Sequence, residues 1–92
     1  MGATNIWSKT LTADTLSVSS SQNVVRISIL ARQGPVTILG TSTFNGVASD
    51  VVTFATGQGV TLTASSTANP IDGITIDASA GGAIADIVLS YQ

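Results

Sequence analysis

Any general acid–base catalysis by this chain would have to run on aspartate or on its one lysine. Its 92 residues contain Asp14, Asp50, Asp72, Asp77 and Asp86 as acids, Lys9, Arg26 and Arg32 as bases, and no Glu, His or Cys. General acid–base work near neutral pH needs a His, Cys, Lys or Glu, or two carboxylates close enough to push one pKa upward. Asp72 and Asp77 fall on opposite faces of their segment and form no such pair by themselves. Asp86, on a strand expected beside that of Asp77, could approach it, and two aspartates with backbone carbonyls are an oxygen set that suits Ca²⁺. The plainer expectation is that these aspartates form turns and protect strand edges. Gly57-Gln58-Gly59 and Gly81-Gly82 lack the strand, loop and helix setting of a phosphate cradle and read as turns. The chain is therefore expected to be no enzyme, with no cofactor, no metal and no small-molecule substrate.

Binding is the chemistry that remains, and it falls to the apolar residues. The aromatic residues are Trp7, Phe44, Phe54 and Tyr91. A carbohydrate platform usually presents several Trp or Tyr side chains, and here Trp7 and Tyr91 would serve only if the two ends of the chain pair in space. That possibility keeps a carbohydrate- or receptor-binding β module as the alternative function. Residues 1–13 hold the only Trp and the only Lys, and their apolar positions Ile6, Trp7 and Leu11 follow no clear period. They are expected as an edge strand that packs Trp7 on the domain's own core, or as an arm that docks on a neighbour. Asn45-Gly46 is the sequence of a tight type I′ turn. Phe44 and Val47 flank it, expected to plug the open end of the core, or else to offer an apolar tip to a partner. Ile6, Trp7, Leu11, Phe44 and Val47 are thus the candidate partner-interface residues.

Charge narrows the partners further. Charged residues make up 9% of the chain, against about 25% in soluble domains, and the mean hydropathy is +0.46. Interface cores are depleted of charge in the same way, so much of the surface is expected to meet neighbouring subunits. A net charge of −2 with three scattered cations gives no basic footprint for nucleic acid. No apolar run reaches the roughly 20 residues of a membrane helix, and no membrane partner is expected. With no cysteine, cohesion has to come from packing.

The elements that would position these residues are strands. Alternating apolar and polar residues mark strands at 16–18, 24–31, 36–39, 51–55, 59–64, 74–78 and 84–91, with one more possible near the amino terminus. Val25, Ile27 and Ile29 share one face and Val24, Arg26 and Ser28 the other. Gly, Pro and Asn turns separate the segments, predicting hairpins of 24–31 with 36–39 and of 51–55 with 59–64, and a pairing of 74–77 with 84–91. The last strand is apolar on both faces, as in a strand central to its sheet or one with an oligomer contact outside. Nothing carries a helical period. The expected fold is all-β: an antiparallel β-sandwich of Greek-key or jelly-roll type with about 7–8 short strands and no helix. Residues 14–92 form a single domain, and 1–13 its arm or edge strand.

Three stretches carry a resemblance: Gly-Val-Thr-Leu-Thr at 59–63, Pro-Ile-Asp-Gly-Ile-Thr-Ile-Asp at 70–77 and Ala-Asp-Ile-Val-Leu at 85–89. In this aliphatic, cysteine-free, Thr/Ser/Gly-rich setting, residues 24–91 resemble the small β-sandwich virion proteins of tailed bacteriophages, the capsid decoration or cement proteins. The resemblance implies a homo-oligomer, often a trimer, that sits on the capsid surface and clamps neighbouring units of the major capsid protein. A tail, neck or fibre component of a virion would look similar.

Overall fold

Short β-branched segments separated by turn residues build two stacked sheets. The computed structural model describes residues 4–92; the first three residues of the amino-terminal segment lie outside the described residues. The strands are β1 (Asn5–Thr12), β2 (Thr15–Val18), β3 (Val24–Gln33), β4 (Val36–Gly40), β5 (Thr43–Phe44), β6 (Val47–Ala48), β7 (Val52–Phe54), β8 (Gly59–Thr63), β9 (Ile74–Asp77) and β10 (Ile84–Tyr91). One sheet runs β1-β10-β3-β8 and the other β2-β9-β4-β7, with β5-β6 as a separate small hairpin. All neighbours are antiparallel. The molecule measures 41 × 34 × 18 Å, and its thin dimension is that of two sheets about 10 Å apart with their outer side chains.

The pairings are nested. β1 pairs with β10, β2 with β9, β3 with β8, β4 with β7 and β5 with β6, as if one long ladder had been rolled into two layers. That is the jelly-roll arrangement, with eight strands in the two main sheets. Because of the rolling, three expected pairings do not form. β3 and β4, β7 and β8, and β9 and β10 each lie in different sheets. A glycine or proline turn marks where a strand ends, and alternation marks its buried side, but neither says whether the next strand lies alongside or crosses to the other layer.

Alternation does place the core. Leu11, Ile27, Val36, Ile76 and Ile87 are the largest wholly buried side chains, joined by smaller residues such as Ala31, Ala78 and Ala85. The register puts Ile27 and Ile29 beside Leu89 and Ile87 of β10, and Leu62 and Val60 of β8. Val24 departs from strict alternation. A bulge between Ser90 and Tyr91 of β10 matches Val24 and Arg26 of β3 and skips Val25. Val24 therefore turns into the core, not outward with Arg26. The only departure from strand and loop among the described residues is a 3₁₀ turn at Ser20–Gln22.

Candidate functional site

Four of the five aspartates, Asp14, Asp72, Asp77 and Asp86, are held in structural roles. Asp86 lies on the outer face of the first sheet, where the Arg32 guanidinium donates to it through Nε at 2.8 Å and through Nη2 at 2.6 Å, and the Thr10 hydroxyl donates at 2.9 Å. These bonds, Arg32 foremost, hold the Asp86 carboxyl below the usual carboxylate range, and the same pairing raises the Arg32 pKa. Asp77 sits on the outer face of the second sheet beside Thr15 and Thr37. It accepts from the hydroxyl of Ser79 and from its backbone N–H, which lower its pKa in that order. Asp77 and Asp86 therefore face away from each other across the sandwich and cannot share a cation or a proton, because the expected pairing of their strands does not form. Asp72 accepts from the backbone N–H of Ser20 at 2.8 Å, and Asp14 from that of Thr15 at 2.8 Å. Among the described residues, no three Asp, Glu, His or Cys side chains converge on a possible cation site.

The hairpin β5-β6 carries the most exposed apolar groups. Asn45 and Gly46 both adopt positive φ, 53° and 79°, the backbone of the type I′ turn that this dipeptide favours. A two-residue turn gives Phe44 and Val47 a common place at the tip, where they are 80% and 68% exposed. They do not plug the core, contrary to the first expectation for them. The base of the hairpin is fixed. Thr41 N–H donates to Gly73 O at 2.7 Å, Ser49 Oγ donates to Ser42 O at 3.0 Å, and Gly73 needs its positive φ of 71° to complete the turn that receives Thr41. The tip is thus an apolar knob on a stiff stem.

A cleft opens at the same end of the sandwich, between edge strands β1 and β2. Its volume is about 200 Å³, and its apolar wall is Trp7, Leu16, Val18, Val24, Leu89 and Tyr91. Ser17 and Gln22 supply its polar rim. Antiparallel pairing places Trp7 opposite Leu89 and Asn5 opposite Tyr91, so the two ends of the chain meet and the Trp and Tyr line one site. The Gln22 side chain is held back to the chain, its Oε1 accepting from Ser19 N–H at 2.9 Å. Trp7 remains 37% exposed and lies outside the buried core, as a cleft wall.

The other candidates divide. Leu11 is 2% exposed, so it belongs to the core and to no partner surface. Ile6 is 67% exposed on the outer face of β1. Residues 5–12 form a paired edge strand, not a free arm. Sequence reasoning missed Leu39, Val51 and Val52, which are exposed together with Phe44 and Val47. A signal was there for Leu39: it follows Ile38 in β4, and adjacent strand residues cannot both face inward. These five are a majority of the nine large exposed apolar residues among the described ones, and all lie within 39–52, where Asp50 is the single charge. No protein-family model, curated protein or solved structure matches the chain.

Proposed function

We propose that this chain is a structural assembly protein that binds neighbouring protein subunits through uncharged apolar surface. In the form implied by its sequence resemblance, it is a homo-oligomeric capsid decoration (cement) protein on the virion, attached to the major capsid protein and stabilising the particle. The observation that supports subunit binding is the gathering of Leu39, Phe44, Val47, Val51 and Val52 as exposed side chains in a segment with one charge. Large apolar side chains left exposed on a small domain, led by the Phe44 and Val47 tip, are a mark of a protein interface. An interface of standard size covers roughly 1,600 Å², and weak contacts of that kind add up when many copies attach to one particle. The virion setting comes from the resemblance, and a tail, neck or fibre position suits the same surface.

Co-sedimentation of the purified chain with particles, and its copy number in them by mass spectrometry, test the reading. Copies approaching the number of coat subunits support decoration, and a few copies per particle support a tail or neck position. Absence from particles, together with no binding to them, overturns the virion reading. The carbohydrate-binding alternative draws support from Trp7 and Tyr91 lining one cleft with Ser17 and Gln22 at its rim. Glycan-array binding that Trp7→Ala abolishes would favour it.

A further inference from the structure

We propose that two copies of this chain join head to head, each seating its Phe44 ring in the cleft between Trp7 and Tyr91 of the other. The proposal deepens the assembly reading and rests on its premise that the chain binds protein subunits. The fit begins with size. A buried apolar cavity of about 150 Å³ is enough to bind benzene, and this cleft offers about 200 Å³ behind a wall of Trp7, Leu16, Val18, Val24, Leu89 and Tyr91. Phe44 presents a benzene ring that its own domain leaves 80% exposed, on a hairpin whose base is hydrogen-bonded in place. A stiff stem loses little freedom on docking. Charge agrees as well. None of the residues lining the cleft is charged, and residues 40–49 carry no charge, so neither side has an ion to desolvate.

The fold supplies the symmetry. Val18 pairs with Ile74 and Ile74 with Gly40, so the end of β2 beside the cleft and the end of β4 beside the hairpin lie two strand spacings apart at one end of the sandwich, about 10 Å. A twofold axis perpendicular to the line from tip to cleft brings each tip over the opposite cleft. The contact is then isologous and closed. Reciprocal exchange places two rings in one interface, whereas a three-copy ring would place one in each. With about 150–250 Å² buried per aromatic ring and a similar area of wall covered, the pair buries roughly 600–1,000 Å², the range of weak, concentration-dependent association.

Trp7 is the only tryptophan and stands in the cleft wall, so its fluorescence reads the contact directly. Sedimentation of the wild-type chain across a dilution series should give a dimer that dissociates at roughly micromolar concentration, with Trp7 emission moving to longer wavelength and quenching by acrylamide rising in step. Phe44→Ala, at an exposed tip, should keep the folded far-UV spectrum, weaken dimerisation by about thirtyfold or more, and shift the Trp7 emission change to correspondingly higher concentration. Val88→Ser, at an exposed apolar site on a different face, should leave both readouts as in wild type. Three results overturn the proposal: a trimer, a dimer that Phe44→Ala leaves intact, or a monomer at all concentrations. In the last case, a red shift of Trp7 in Phe44→Ala would place the ring in the chain's own cleft. Particle binding is measured separately: its survival in a chain whose dimer ignores Phe44 would overturn the ring exchange alone. Its loss in a chain whose dimer depends on Phe44 would overturn the virion role alone.

Discussion

Asp86 shows how a charged side chain on this surface is held by its neighbours. Its carboxylate is held by Arg32 and Thr10 on a solvent-washed face, where such a pair is screened and contributes modestly. Because the folded pKa is below the unfolded one, its stabilisation is present above about pH 4 and lost as pH falls through the lower folded value. The same sign holds for Asp77. Asp86→Asn is thus expected to lower the urea midpoint at pH 7 and to shrink the further fall between pH 7 and pH 2; an unchanged acid limb would refute the assignment. At this scale the sequence was partly legible. Asn45-Gly46 could be read because few dipeptides accept two successive positive φ values. Phe44 and Val47 were misjudged because an apolar side chain beside a turn looks the same in sequence whether the turn bends over the core or away from it.

Among the elements, β1 has moved furthest from expectation. Residues 1–13 can be imagined as a detachable arm only while their pairing is unknown. β1 is matched to β10 along its whole length, and it sends Leu11 into the core and Trp7 to its border. Deleting residues 1–12 is therefore expected to abolish cooperative unfolding, read by circular dichroism through a urea titration, because it strips one side of the central strand β10 and opens the core. A truncated chain that still unfolded in one sharp transition would contradict this. Strand positions and buried faces were legible from alternation at Ile74/Ile76 and Val60/Leu62. Partner choice was not: β9 and β10 are separated by the same kind of glycine turn whether they pair or cross between layers. The bulge at Val25 was hidden for a similar reason, since it answers to β10, some sixty residues further along.

For the molecule as a whole, scarcity of charge is the property that organises its surface. From residue 33 to residue 71 the sequence has one ionisable side chain, Asp50, and the outer face of the second sheet is a field of hydroxyls in which Ser17 meets Thr75 at 3.2 Å. Association through such a surface should ignore ionic strength. Raising salt from about 0.05 M to 1 M shortens the Debye length from over 10 Å to about 3 Å, yet the dimer constant is expected to stay the same or to tighten. Dissociation by salt would point to charged contacts instead. The sandwich class was legible from composition and strand spacing, because short alternating segments rich in Val, Ile and Thr bury their apolar faces by stacking sheets. The cleft was not, since its walls come from β1, β2, β3 and β10 and only the rolled fold brings them together.

The nesting of the strand pairs also orders events in time. Among the paired strands of the described residues, β5 and β6 close the shortest loop, and each pair outward, from β4·β7 to β1·β10, closes a longer one. Loop-closure entropy rises with the length enclosed, but once an inner pair has formed, the next has only its short flanking segments left to gather. The cheapest route to the native state starts at Asn45-Gly46 and zips toward the ends of the chain. A fold dominated by such distant pairings is expected to be slow, with its two ends expected to join last. The small hairpin that leaves Phe44 exposed is then also the expected starting point for the domain's growth.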